Sequence, residues 1–486
     1  MSGPRTGQVA AVDLGATSGR VMLGTVGPDR LEMRQVARFA NEPVEIWNGR
    51  RASLHWDIAG LYAQVCAGLA EAARQAPELC GVGIDSWAVD YGLLRGGRLL
   101  GLPHHYRDTR SRAGVETVHA AVPPPALYAR NGLQFLPFTT IYQFAADHLD
   151  GDIDVADNAL LIPDLIGYWL TGAMATERTN ASTTGLLGPD GHWDRELHTR
   201  TGVRADLFPA LVDPGTILGP VLPAMASHGL RPSVHVSAVA SHDTASAVAA
   251  VPMSAESAAY ISCGTWGLVG VELTAPVIDA ASWAANFTNE IGADGRIRFL
   301  HNVMGLWLLS ESVRCWQRDD ARVDLAGLLE HAAARPAPAA VFDVDDPRFL
   351  TPGDIPARIA HWYTEHDLPA PAGRADMVRA IVESLAVAFA NGVRTAAELS
   401  GTAVRTVHMV GGGAQNRLLC QLTADHAGLP VVAGPVEATA IGNILIQART
   451  HGLLSGDLEA LRAVVATTFA LRRYTPRGDT STRKAG

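Results

Sequence analysis

Lysine is almost missing from this 486-residue sequence: Lys484 is the only one, and every other basic residue is arginine. A Walker P-loop needs a lysine on the β- and γ-phosphates, a protein kinase needs one on its third strand, and a pyridoxal enzyme needs one for its Schiff base. None of these chemistries has its lysine in a structured position, so a chain of this composition that handles ATP holds the phosphates with backbone amides, hydroxyls, arginine and Mg²⁺. Cysteine is scarce as well. Cys66, Cys80, Cys263, Cys315 and Cys420 are widely spaced and never form a C-x-x-C pair, which predicts a reducing, cytoplasmic setting rather than a disulfide framework. Long apolar runs are also absent. Asp13 interrupts the early one and Pro214, Pro220 and Pro223 break the stretch 214–230, so neither a signal peptide nor a bilayer span is expected. Nor is there an excess of positive charge: 39 basic residues against 49 acidic ones give a net charge of −10, a balance that repels nucleic acid and anionic lipid.

What the chain does have is the makings of a large core, with 48% hydrophobic and 18% charged residues, and a length that suggests two or three domains. Short apolar runs bounded by Gly, Asn or Asp alternate with segments of helical period, the pattern of an α/β protein. Val9–Val12 and Val21–Gly24 read as strands joined by Asp13–Arg20. Residues 58–75 place Ile58, Leu61, Tyr62, Val65, Leu69 and Ala72 at helical spacing, and 81–94 returns to strand character. Prolines crowd 201–236, where periodicity fades. The boundary is expected there, giving domains 1–236 and 237–486.

Beyond it the pattern begins again, with strands at Ala259–Ser262 and Leu268–Val271 around a Cys263–Gly267 tip. Each hairpin carries small and hydroxyl residues whose amides could cradle a phosphate. One alone reads as an ordinary turn; one in each half points to an internally duplicated protein with a phosphate loop per domain. Residues 405–433 add a strand, the run Gly411-Gly412-Gly413-Ala414-Gln415-Asn416, a helix Arg417–His426 and a further strand, a place where a nucleotide fits a helix N-terminus. Ser241-His242-Asp243-Thr244 opens a helix. It reads either as a capping cluster or as a general base held ionised beside the helix N-terminus. The run His104-His105-Tyr106-Arg107-Asp108 lacks the i,i+4 spacing of helix-borne metal ligands and reads as a structural or substrate-contact loop.

Taken together, VAAVDLGATSGR, GIDSWAVDYGLL, YRDTR, ASHDTASAV, AAYISCGTWGLVG, NVMGLWLL and VGGGAQNRLLCQLTADHAGLPVVAGPVEATAIGNI resemble the FGGY sugar kinases, in family order from residue 9 to about 447. The resemblance implies two actin-like (ribonuclease H-like) ATPase domains with a catalytic cleft between them. It also implies Mg²⁺-dependent transfer of the γ-phosphoryl of ATP to the 1-hydroxyl of a ketose, L-rhamnulose. Carried over motif by motif, Asp243 is the base, with His242, Thr244, Ala88 and Asn302 at the sugar. Ala16, Thr17, Ser18, Gly19 and Arg20 form the first phosphate loop, Thr265 the second, Gly412 the nucleotide loop, and Asp13 the carboxylate nearest Mg²⁺. The expected partners are ATP and a small ketose, with neither nucleic acid nor membrane.

The sequence departs from the family at two places. Ser310 stands eight residues beyond Asn302, where the resemblance puts a glutamine touching ATP, and Ala88 stands where relatives often have glycine. L-Fuculose, L-ribulose and D-xylulose therefore stay open as substrates. Two other classes also remain, an NAD(P)-dependent dehydrogenase using Gly411–Gly413 and a non-catalytic sugar sensor.

Overall fold

The computed structural model describes residues 6–28 and 30–477; Lys484 lies outside them. The chain divides into two compact units that interleave along the sequence. Unit 1 takes residues 1–252, 273–299 and 438–468, and unit 2 takes 253–272, 300–437 and 469–486. This division differs from the expected boundary at 236. The proline-crowded segment is not a linker: Ile217–Pro220 and His235–Ser237 are strands of the unit 1 sheet. Pro220 is tolerated because its strand lies at the sheet edge, where a missing N–H breaks no ladder.

The unit 1 sheet runs Ile217–Pro220, His235–Ser237, Leu79–Ser86, Gly7–Leu14, Ser18–Gly27 and Arg30–Ala40 in spatial order. Gly7–Leu14, Leu79–Ser86 and His235–Ser237 are mutually parallel, and the hairpin from Gly7–Leu14 into Ser18–Gly27 is antiparallel. Unit 2 repeats this plan. Its hairpin, Ala258–Cys263 into Trp266–Leu273, is antiparallel, and Ala258–Cys263 pairs in parallel with Thr406–Val410, which pairs in parallel with Val431–Ala433. Arg472–Tyr474 then closes the edge antiparallel, as Ile217–Pro220 does in unit 1. A hairpin whose first strand is followed by two parallel strands occurs in both sheets, the internal duplication that the paired hairpins suggest, while the sheets differ at their edges, with six strands in the first and seven in the second.

Local signals act where they are strong. The helix Ile58–Gln75 forms over the expected residues, capped by the Asp57 side chain on the Gly60 amide, and buries Ile58, Leu61, Val65, Leu69 and Ala72. The strand limits move outward: Asp13 and Arg20 face each other as a cross-strand pair, so the first tip shrinks to Gly15–Thr17. Continuous apolar runs on both sides of the tip bury Val9–Leu14 and Val21–Leu23 on both faces, and burial extends pairing past the polar residues. All five cysteines are free thiols. Among the described residues no helix is long and apolar enough to cross a membrane.

Candidate active site

In unit 1 the carboxyl ends of three parallel strands bring the polar residues together, the usual place for a ligand site on an open α/β sheet. Asp13, 3% exposed, lies opposite the fully buried Asp85 in the neighbouring strand. Arg20 clamps Asp13 Oδ2 with Nε at 2.9 Å and Nη2 at 2.8 Å. The tip beyond is closed by the Gly15 amide on the Ser18 carbonyl (3.0 Å). Asn41 pins it from the side, its amide donating to the Thr17 carbonyl and its Nδ2 to the Gly15 carbonyl (2.8 Å). Ala16, Thr17 and Ser18 stay partly or fully open. Gly19 is buried, and a Cβ there would overlap Phe39 Cε2 and stand 2.6 Å from its Cζ, so any larger residue would have to displace that ring.

Ser86 bridges to His242, with its amide donating to the Ser241 carbonyl at 2.9 Å. This brings the DSWA run beside the Asp243 cluster. The helix Asp243–Ala249 has His242 at its N-cap without a side-chain cap bond, while Ser241 Oγ donates to Glu177 at 2.8 Å. The Asp243 side chain keeps 30% of its surface open. Partial withdrawal from water sets its carboxyl above the ordinary value, with His242 opposing and the Asp13 charge adding to the rise. Burial lifts Asp85 much further, reinforced by Asp13 and opposed by the Asn443 hydrogen bond, and the Asp243 charge adds to the rise. Asn443 Nδ2 donates to Asp85 Oδ2 at 2.6 Å, while Asp85 Oδ1 is buried with no partner.

The carboxyl groups of Asp13, Asp85 and Asp243 feel one another's charge, with Arg20 among them, and carboxyl oxygens are the donors that a hard divalent cation takes. Among the described residues no three His, Cys, Asp or Glu side chains could hold a metal by themselves.

Ala88 is half-buried on a tight turn. The next residue, Val89, has φ +68°, a strained conformation for a β-branched side chain. The turn is held by Asp90, whose Oδ2 accepts from Trp56 Nε1 (2.6 Å), Trp87 Nε1 (3.0 Å) and the Tyr106 amide (3.2 Å), and whose Oδ1 accepts from Gln143 Nε2 (2.8 Å). Burial still raises Asp90 to about 6. His105 stacks on Trp56 at 4.1 Å, and burial drives His105 down to about 3, a neutral ring in an aromatic shelf.

In unit 2 a second set of loops converges. The Gly264 and Thr265 carbonyls accept from the Leu306 (2.9 Å) and Gly305 (3.2 Å) amides. Gly305 has to be glycine, because a Cβ would lie 2.5 Å from the Trp266 carbonyl carbon. Gly411, at φ +78°, sits against the Cys263 carbonyl, and Gly412 is exposed. The glycine run makes a 3₁₀ turn, Gly412–Gln415, before Asn416 caps the helix Arg417–Ala427. The dinucleotide fingerprint instead runs straight into its helix. Asn302 is half-buried on the strand Ile297–Met304, and Ser310 is exposed in the first turn of the helix Trp307–Asp319.

Sequence reading did not single out Asp85, Glu177, Glu290, Arg298, Asn443 or Gln447. Glu177, 1% exposed, accepts from the Ser241 amide (3.0 Å) and hydroxyl (2.8 Å), the Thr179 amide (2.9 Å) and hydroxyl (2.6 Å) and the Asn180 amide (3.1 Å). It fixes the backbone just ahead of His242. The available signal was polar residues inside apolar runs: Asn443 and Gln447 stand four apart in the otherwise apolar ATAIGNILIQA, and Arg298 interrupts a strand.

Two sheets with a common core of a hairpin and two parallel strands, each with a hairpin tip of small and hydroxyl residues and one beside three carboxyl groups, define the class: an α/β enzyme of phosphoryl transfer. The models of the FGGY family of carbohydrate kinases match the chain over residues 9–250 for the N-terminal domain and 259–451 for the C-terminal domain. The chain is 42% identical over 477 residues to a rhamnulokinase of Pectobacterium carotovorum, covering 97% of this chain and 93% of the relative. It is 39% identical over 469 residues to a rhamnulokinase of Enterococcus faecalis, covering 96% and 93%. Among solved structures, its fold is shared by a gluconate kinase from Lactobacillus acidophilus (TM-score 0.78, 16% identity, 97% of this chain and 94% of that one). A glycerol kinase from Plasmodium falciparum with ADP shares it too (TM-score 0.73, 14% identity, 97% and 94%). The chain belongs to the FGGY family of carbohydrate kinases: it is a sugar kinase with two actin-like ATPase domains.

Proposed function

We propose that this kinase transfers the γ-phosphoryl of ATP to the 1-hydroxyl of L-rhamnulose, giving L-rhamnulose 1-phosphate and ADP. The near-complete alignment with relatives named rhamnulokinase supports the sugar. The observation that carries the chemistry is Asp243, a partly open carboxylate at a helix N-terminus, flanked by His242 and Thr244. In this reading Asp243 accepts the proton of the sugar hydroxyl as its oxygen bonds to the γ-phosphorus and the bond to the bridging oxygen of ADP breaks. His242, Thr244, Ala88 and Asn302 hold the sugar. Ala16, Thr17, Ser18, Gly19 and Arg20, with Thr265, hold the phosphates, and Gly412 lets the nucleotide approach the backbone. Asp13 would hold Mg²⁺ through water, and the ion, when bound, neutralises charge on the transferred phosphoryl group. Lysine has no part in this scheme, consistent with its near absence.

An ADP-release assay with Mg²⁺ across L-rhamnulose, L-fuculose, L-ribulose and D-xylulose is expected to give the highest kcat/KM on L-rhamnulose. A clear preference for another ketose would overturn the substrate while leaving the kinase class standing. Calorimetry is expected to show binding of ATP and none of NAD, since the 3₁₀ turn after Gly411 does not offer the dinucleotide loop. Tight NAD binding would count against the assignment of Gly412.

A further inference from the structure

His242 is built into a buried charged group that the sugar-kinase reading does not use. Arg298 is fully buried, Glu290 is 7% exposed at its side chain, and both lie in unit 1 with His242. The fork of Arg298 is spent on three partners. Nη1 pairs with Glu290 Oε2 at 3.0 Å. Nε and Nη2 donate to the Ile291 carbonyl at 3.3 and 3.2 Å, and Nη2 also donates to His242 Nδ1 at 3.0 Å. A guanidinium has donors and no acceptor, so Nδ1 must be the acceptor in that contact. In a neutral imidazole the proton then sits on Nε2, because the bond made by one ring nitrogen sets the state of the other. His242 Nε2 lies 3.4 Å from Asp243 Oδ1, and the Thr244 hydroxyl donates to the same oxygen at 3.1 Å.

We propose that Arg298 is a positioning residue that fixes His242 as its Nε2–H tautomer, so that His242 and Thr244 both occupy Oδ1 of Asp243 and leave Oδ2 as the oxygen that accepts the sugar proton. This rests on the reading of Asp243 as the base. Without Arg298 the balance reverses: Glu290 Oε2, 3.4 Å from His242 Nδ1, would draw the proton to Nδ1, and Nε2 would turn a lone pair toward a carboxylate. Lysine cannot replace this arginine, because one ammonium cannot serve the carbonyl, the carboxylate and the ring from a planar fork. Glu290 balances the buried charge without setting the tautomer.

The test reads the tautomer directly, by ¹⁵N resonance of selectively labelled histidine in the full-length protein, with His242→Gln used to assign the signals. The wild type is expected to show a protonated Nε2 and an unprotonated Nδ1. A protonated Nδ1 in the wild type overturns the proposal without any variant having to fold. Glu290→Gln is expected to keep the Nε2–H form, and a shift to Nδ1–H would transfer the role to Glu290 and overturn the assignment to Arg298. Arg298→Lys is expected to move the proton to Nδ1 and to lower kcat by at least about tenfold, with KM for ATP changed by less than about twofold. An Arg298→Lys enzyme that keeps both its tautomer and its kcat overturns the proposal. Failure of every ketose in the ADP-release assay would instead remove the functional reading and leave the spectrum to judge the tautomer.

Discussion

Asp243→Asn is expected to fold, to bind ATP with nearly unchanged affinity, and to lose on the order of 10²–10⁴ in kcat, the usual contribution of a positioned general base. Asparagine keeps the size of the side chain and leaves an Oδ1 that the Thr244 hydroxyl, 3.1 Å away in the native protein, can still reach. What it lacks is the second carboxylate oxygen that takes a proton. A pure capping role predicts a different outcome, because asparagine caps a helix about as well as aspartate. The structure already weakens that alternative: the N-cap position falls on His242, which makes no side-chain cap bond, and Ser241 is committed to Glu177. Steady-state turnover on a variant with a native far-UV spectrum decides the matter. Retention of more than about a tenth of wild-type kcat would refute the catalytic assignment, since that deficit is well below the general-base range.

Gly442→Ala is expected to lower the thermal midpoint by about 5 °C and to lower kcat with it, although Gly442 bears no chemistry. The helix Ala438–Thr450 packs directly on Asp243–Ala249, so closely that a methyl group on Gly442 would overlap the Ser246 carbonyl oxygen and stand 2.6 Å from its carbon. The obstacle is backbone and cannot rotate away. Overpacking of this kind costs about 3 kcal/mol at the upper end of its usual range, which for a unit of this size corresponds to the stated shift in melting. Activity falls as well, because the same helix carries Asn443, the donor to Asp85, and Gln447, which donates to the Ala10 carbonyl at 3.0 Å. Displacing it moves the strand ends and the first turn of the Asp243 helix apart. Calorimetric melting and turnover of the purified variant test this. A midpoint within about 2 °C of wild type would show that the two helices can separate at little cost.

Much of this molecule was written in neighbouring residues. The near absence of lysine excluded three phosphate and carbonyl chemistries before any fold was considered. Apolar spacing located the helix Ile58–Gln75 and both hairpins, and the glycine run fixed a turn ahead of the helix Arg417–Ala427. The cluster at Asp243 stood out for the same reason, since a helix start is a local event governed by the first few amides. Turn chemistry, capping and periodicity act over a handful of residues, so a single sequence displays them.

Tertiary structure decided which distant residues share a place. Proline crowding suggested a boundary at 236, but Ile217–Pro220 and His235–Ser237 pair into the first sheet, and the division falls at Pro252 with 273–299 and 438–468 in unit 1. Asn443 meets Asp85 across 358 residues, Ser241 meets Glu177 across 64, and His242 meets Arg298 across 56. No local propensity encodes such pairings. Each follows from the strand order, which sets Asp13 beside Asp85 and Ser86 beside His242, and from burial, which leaves a charge no water to turn to and so makes each buried carboxylate or guanidinium depend on a partner from elsewhere in the chain.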